Sequence, residues 1–576
     1  MRIRLRASAA ASALAVGSLV AILVLSLAGS AGASSKSYPR SQTLITSGTQ
    51  WGNIAGFNPF AGSYAAGMIG LNLETLLRYD PIKDKYINWL AKSAKWTGNK
   101  QFTIVVRPGV KWSNGKPFTT ADVRFNLKLL RFGTSAWHNL YLNFKSIATK
   151  GNTVVIRFKG TPNYVQWQNA LWNIPMISPL QGKVITSAQA LTTYNPTNPI
   201  GTGPYKLDPT GFDPTTRVVW VNTGKWWAAK QGLEPMPKPK YIIDLVNTSN
   251  TNSLNAVLQG VEDLNNNFLP GVDKLVQQHK VLTYYKKAPY MLSANTAWLE
   301  PNTAHKPLND PVFRRALAMA LQPGLYAKQA EGNLVLPAKS TGLLPTWAKY
   351  NNKAAITKYG FKHNEAAAKK LLQKHGYTMS GGHFLNKNGS AINLSIMVPQ
   401  GWSDWETARD MIIAHAAAAG IKLHAVVGSQ NAWISARGTG NFDLALDNHW
   451  QISDNPWTYW NGIFHLPILT TGTGQVNFNF ERYTNQKAWS LVKKLDKTPL
   501  TQTGTIKRIN TQLQTILMKQ LPVIPLWYNG QWAQFTSQHW TNWPAAKTSR
   551  QYTPVMWGGY LQMTGIDMIA HLKPVK

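Results

Sequence analysis

The chain has 576 residues, 44% apolar and 11% aromatic, with 60 Lys and Arg against 24 Asp and Glu, a formal charge of +36. That length exceeds what one hydrophobic core serves, so at least two lobes are expected, and the apolar content excludes disorder throughout. The absence of cysteine excludes disulfides, zinc–thiolate sites, thiol catalysis and an acylated cysteine at the membrane. Basic residues are scattered along the chain and no nucleic-acid module is present, so no nucleic-acid partner is expected. The scarcity of carboxylates suits an acidic medium, where a native state that needs few of them loses less stability as they protonate.

At the N-terminus, Arg2, Arg4 and Arg6 precede an uncharged stretch at 7–35, and Ala31-Gly-Ala33 offers a small-x-small cleavage site. This predicts a signal peptide over 1–33, or an uncleaved anchor, since the uncharged run exceeds the ~20 residues of a membrane helix. Beyond it, short strands alternate with helices. Phe102, Ile104 and Val106 alternate with Thr103 and Val105, and Val154, Ile156 and Phe158 repeat the pattern, so both segments read as strands. Thr120 and Asp122 ahead of Val123, Leu127 and Leu130 predict a capped amphipathic helix. Asn198-Pro-Ile-Gly-Thr-Gly-Pro-Tyr-Lys-Leu207 describes a rigid turn delivering one aromatic ring, with Gly201 and Gly203 free to take positive φ. A helix opens at Pro311 with Val312, Ala316, Leu317 and Ala320 on one face, and another runs from an Asn364 cap to a stop at Gly376. Ile509, Leu513, Ile516 and Leu517 line a later helix.

The Gly-Thr-Gly-Pro-Tyr run at 201–205 resembles a signature of the family 5 solute-binding proteins, the oligopeptide- and dipeptide-type receptors of ABC importers. Five further segments resemble that family in its order: Trp89-Leu-Ala-Lys-Ser-Ala-Lys-Trp96 with 102–123, Asp310-Pro-Val-Phe-Arg-Arg-Ala-Leu317, 364–372 with Gly376-Tyr377, and Leu521-Pro-Val-Ile-Pro-Leu-Trp-Tyr528, together with the loop at 449–460. The resemblance implies an α/β, two-lobed periplasmic-binding-protein-like fold of type II, in the large form with an extra subdomain and a two-strand hinge. Lobe I would comprise 43–284 plus 523–576, and lobe II 286–521. It also implies a monomer outside the cytoplasm that delivers its solute to membrane permease subunits.

No catalytic constellation is present: there is no HExxH, no GxSxG and no phosphate-binding lysine loop, so no enzyme, metal or cofactor is expected. His363, His375 and His383 lack metal spacing and read as surface residues, and Asp443 and Asp447 read as structural. Tryptophan is abundant, with 24 residues, and aromatic faces stack on sugar rings as readily as they fill cores. The densest cluster, His449-Trp-Gln-Ile-Ser-Asp-Asn-Pro-Trp-Thr-Tyr-Trp460, is similar to the family's cleft loop. Peptide-binding members have an aspartate three positions after its first tryptophan; here that position holds Ser453, and Asp454 follows. A neutral hydroxyl favours a neutral polyol over a zwitterion. The segments at 57–60, 69–81 and 164–175 resemble the cellobiose-type branch as well.

The expected ligand is therefore a short oligosaccharide, with an oligopeptide as the alternative and a glycoside hydrolase or basic wall-binding protein as rival classes. The expected ligand-binding residues are Trp450, Ser453, Asp454, Trp457 and Trp460 from the second lobe and Phe57, Asn58 and Pro59 from the first. Trp402 and Trp298 join them for their aromatic character beside second-lobe turns, while Trp167 and Trp172 either shape the cleft or pack the core.

Overall fold

Apolar alternation builds the first layer. In the strands Gln101–Val106 and Thr153–Phe158 every second residue is buried, and pairing Phe102 with Ile156 puts both apolar sets on one face. Ala91–Trp96 and Phe144–Lys150 complete a four-stranded antiparallel sheet. The helix Thr120–Leu129 covers it, opened by Thr119, whose backbone N–H donates to the Asp122 carboxylate at 2.6 Å. The cap thus falls one residue ahead of the expected Thr120. The computed structural model describes residues 37–576 apart from 51–52, 62, 450–451, 469–475, 477 and 556–561, so the expected signal segment at 1–33 lies outside the described residues.

Two larger sheets divide the remainder. One has seven strands in the order Leu282–Thr283, Gln534–Phe535, Leu264–Asn265, Thr43–Gln50, Tyr241–Asn247, Arg217–Asn222 and Tyr205–Leu207. The other has five: Leu423–Gly428, Leu394–Pro399, Leu444–His449, Leu292–Pro301 and Ile524–Gln531. Both mix parallel and antiparallel pairs, and helices flank them, so the architecture is the expected two-lobed α/β one. The chain passes from the first sheet to the second after Thr283 and back again before Gln534. The return differs from the expected boundary at 521–523. Ile524–Gln531 is buried along its whole length and pairs antiparallel with Leu292–Pro301, which keeps it in the second sheet.

Helix signals place the flanking elements as expected. Asp310 caps Pro311–Ala320 by accepting from Val312 N at 2.8 Å, and Asn364 caps Glu365–Lys374 by accepting from Ala367 N at 2.8 Å. Arg314 of the first helix is buried, and its Nε donates to the Leu521 carbonyl at 2.9 Å, tying that helix to the end of Thr503–Gln520. The turn at 201–205 has a different cause from the one expected. Neither Gly201 nor Gly203 is in the left-handed region; a Cβ on Gly201 would stand 2.0 Å from the Asn72 carbonyl oxygen, and one on Gly203 2.3 Å from that of Leu71. Close backbone approach, not dihedral freedom, requires the two glycines. Tyr205 is fully buried, its hydroxyl donating to the Pro239 carbonyl at 2.8 Å.

Candidate ligand cleft

The loop after the strand Leu444–His449 is a sequence of local hydrogen bonds. The Ser453 hydroxyl donates to the Asn455 carbonyl at 2.5 Å, the Ser453 carbonyl accepts from Trp347 Nε1 at 2.6 Å, and Asn455 Oδ1 accepts from Trp457 N at 2.9 Å. These bonds turn Ser453 inward and leave it buried, shaping the loop. Asp454 is half-buried and receives Asn455 Nδ2 at 2.8 Å. It lines a cavity of about 480 Å³ with Asp84, Tyr86 and Val165 from the first-lobe side and Lys349 and Tyr350 from the second. Burial pushes its carboxyl above the ordinary aspartate range, against the hydrogen bonds that favour the charged form. A larger cavity of about 930 Å³ is lined by residues between Gly109 and Met236 alone, so it belongs to one lobe.

The other expected residues divide into two groups. Trp450 lies outside the described residues. Trp457 is buried and its Nε1 has no hydrogen-bond partner among the described residues. Trp402 is half-buried at the N-terminal end of the helix Ser403–Ala418, edge-on to Trp405 at 4.7 Å. The remaining side chains are committed to packing. Trp460 is fully buried, stacked on Phe464 and donating to Asn510 Oδ1 at 2.8 Å. Phe57 meets Phe212 and Trp220 edge-on, Asn58 donates to the Leu191 and Thr192 carbonyls, and Pro59 is buried. Trp298 is buried against Tyr459, Trp167 against Phe102, Phe144 and Phe158, and Trp172 against Tyr79.

His363 and His375 are exposed and His383 is half-buried; among the described residues no group of three acidic or histidine side chains has the arrangement of a metal site. Asp443 is held by Ser395 and His305, and Asp447 by Arg437, so both are structural.

Sequence reasoning passed over a band of carboxamides where the two sheets meet. Asn295 and Asn529 are paired across neighbouring strands, Gln531 follows on the same strand, and Gln534 opens the return to the seven-stranded sheet. All four are buried, yet Asn295 Nδ2 and Oδ1, Asn529 Oδ1, Gln531 Oε1 and both polar atoms of Gln534 have no hydrogen-bond partner among the described residues. Buried polar atoms are ordinarily paired, so these amides keep donor and acceptor capacity that the protein's own described groups do not fill. Elsewhere between the two halves, Asn250 of the first-sheet side donates to Ser403 Oγ at 3.0 Å and Asp404 Oδ1 at 3.2 Å, the two residues that follow Trp402 in the chain. Burial raises the carboxyls of Asp404 and Glu331, and the neighbouring Asp404 charge adds to the effect on Glu331. The only sequence signal for the band was the alternation of Tyr528, Asn529, Gly530 and Gln531 after a hydrophobic strand.

A family model described as bacterial extracellular solute-binding proteins, family 5 Middle, matches residues 85–467. Among solved structures, a periplasmic oligopeptide-binding protein of an oligopeptide ABC transporter from Thermotoga maritima is 31% identical, with a TM-score of 0.87 over 93% of this chain and 100% of that one. Its mannohexaose-bound form gives 0.86 over 93% and 99%, at the same identity. Among curated proteins, the probable ABC transporter periplasmic-binding protein SapA of Escherichia coli is 25% identical over 82% of this chain and 85% of its own. The oligopeptide-binding protein OppA of Lactococcus lactis is 22% identical over 77% of each.

Proposed function

The chain belongs to the bacterial extracellular solute-binding proteins of family 5, and from that membership we propose that it captures a short neutral oligosaccharide for import. Family members are the substrate-binding components of ABC importers, work with membrane permease subunits and catalyse no reaction. The amide band carries the choice of solute. A carboxamide donates and accepts at once, as a sugar hydroxyl does, whereas a peptide's α-ammonium group calls for a carboxylate. Each buried amide left without partners costs about 1–3 kcal/mol, so a polyol that satisfies Asn295, Asn529, Gln531 and Gln534 gains what the free protein lacks. Trp402 and Trp457 supply indole surface for the sugar faces. The mannohexaose found in the Thermotoga relative supports this reading.

In this reading the first lobe comprises 43–284 with the C-terminal return, and the second runs from 286 through the strand Ile524–Gln531. The segment 1–33 directs export, the mature protein is a monomer, and with no cysteine it carries no lipid on that residue. An oligopeptide is the second reading, favoured by the Asp454 carboxylate in the cavity of about 480 Å³ and by the peptide-binding names of curated relatives. Calorimetric titration with manno-, cello- and laminari-oligosaccharides against di- to pentapeptides separates the two. The expected outcome is saturable sugar binding with no heat from peptides. Binding that requires a free α-amino group overturns the sugar assignment and leaves the family assignment standing.

A further inference from the structure

The helix Tyr164–Asn173 packs on the four-stranded subdomain through Trp167, and its first turn faces the C-terminal end of the second-lobe helix Gln486–Asp496. Asn163, at the N-cap position, makes no side-chain bond to the helix it precedes. Asp496 takes that role from the other lobe. Its Oδ1 accepts from the backbone N–H of Gln166 at 3.0 Å, and its Oδ2 accepts from Asn163 Nδ2 and Gln166 Nε2, both at 2.6 Å. The carboxylate is 3% exposed, and all three of its partners are donors. We infer that Asp496 is the latch of the closed form: a second-lobe carboxylate that caps a first-lobe helix only when the jaws meet, and so sets the closed population whichever solute is bound.

Three arguments single it out. Opening the lobes strips a helix start of its acceptor, and a helix N-terminus holds unpaired N–H groups that favour an anion. Charge-assisted hydrogen bonds are the stronger kind, and here several converge on one buried group. Other contacts across the gap are weaker. Asn250 gives Asp404 one side-chain donor at 3.2 Å, where Asp496 has three donors. The ion pair of Lys349 Nζ with Asp84 Oδ2 at 2.6 Å leaves both side chains about half exposed, at 48% and 47%, and holds little. Asp496 and Gln166 do not themselves line the cavity that holds Asp454, although their neighbours Leu495 and Val165 do.

The absence of cysteine makes the test clean. Spin labels on Lys128→Cys and Lys374→Cys, exposed positions on the subdomain and on the second lobe, report the inter-lobe distance in the full chain, with and without mannohexaose. Wild type is expected to show a short-distance population; Asp496→Asn turns an amide N–H₂ towards the donors and should lower the closed-to-open ratio about tenfold. Gln166→Ala, made on the opposite lobe, removes one of the three donors and should lower the ratio by a smaller factor, and the double variant should add little to Asp496→Asn alone. Lys493→Ala, exposed on the same helix, should leave the distribution unchanged. Melting temperatures near wild type for all four show that folding is intact. A wild-type distribution without the short distance, or one that survives both Asp496→Asn and Gln166→Ala, overturns the latch. Neither result bears on the sugar assignment, which the calorimetric panel decides by itself.

Discussion

Each lobe buries an ionisable side chain, and the two do so in opposite ways. In the first, Glu74 is fully buried and solvated by neutral dipoles: Trp89 Nε1 and Trp226 Nε1 donate to Oε1 at 2.9 and 3.2 Å, and Trp227 Nε1 and the Thr202 hydroxyl donate to Oε2, each at 2.7 Å. In the second, Arg437 is buried between ions. Its Nη2 meets Glu300 Oε2 at 2.8 Å and Asp447 Oδ2 at 2.5 Å, while its guanidinium lies 4.3 Å from the Trp433 ring centre and 4.5 Å from that of Phe480. Burial raises the Glu74 carboxyl despite its four donors. Burial also works against the Arg437 charge, yet Asp447 and Glu300 outweigh it and hold the group above the ordinary arginine value. Dipoles leave a carboxyl easy to protonate, whereas ions lock a charge in place. Glu74 also explains the turn at 201–205, since Thr202 reaches it only if Gly201 and Gly203 let the chain press against Leu71 and Asn72.

Removing one partner breaks the two centres to different depths. Arg437→Ala leaves two buried carboxylates without their counter-ion, and chemical denaturation should show a loss of about 3–5 kcal/mol. A loss under about 1 kcal/mol would mean that the cluster is already neutral. Glu74→Gln keeps the shape but aims an N–H₂ at indole donors, and should cost about 2 kcal/mol. An unchanged midpoint would reduce the indole nest to packing.

The smallest effect is on pH. Glu262 is pushed up to about 8, mainly by burial, and Glu74 and Glu331 are raised for the same first reason. A carboxyl whose folded pKa is raised takes up a proton on folding. The Glu262 contribution is fully present below the unfolded value of about 4.3 and is lost as pH rises through about 8. Asp310 and Asp443 run the other way, held low against burial by hydrogen bonds and by Lys387 and His305, and their contribution is lost in acid. Burial lowers the pKa of His415 and His465, which oppose the raised carboxyls as pH falls. With Glu262 raised to about 8, urea midpoints should rise from pH 8 to pH 5, by on the order of 1–2 kcal/mol of stability. A fall over that interval would contradict the balance. The direction agrees with a chain that carries few carboxylates.

Local patterns were legible where local physics decides. Alternation at 102–106 and 154–158 gave both strands, and Asp310 and Asn364 announced the helices they cap. The glycines of the 201–205 turn were visible but their reason was not, because the backbone they touch lies some 130 residues earlier in the chain. Aromatic residues were ambiguous: Trp460, Trp298 and Phe57 drew attention as large surfaces and are buried in the structure, since such surfaces fill cores as readily as clefts. The amide band had almost no signature, since Asn295, Asn529, Gln531 and Gln534 come together only when two strands pair and the chain crosses between sheets.

The most direct test is a calorimetric titration of mannohexaose into the wild type and into Asn529→Ala and Gln531→Ala variants of unchanged melting temperature. The account predicts saturable binding in the wild type and roughly tenfold weaker binding in each variant. No heat from mannohexaose or any other neutral oligosaccharide, alongside tight binding of a peptide with a free α-amino group, would contradict it.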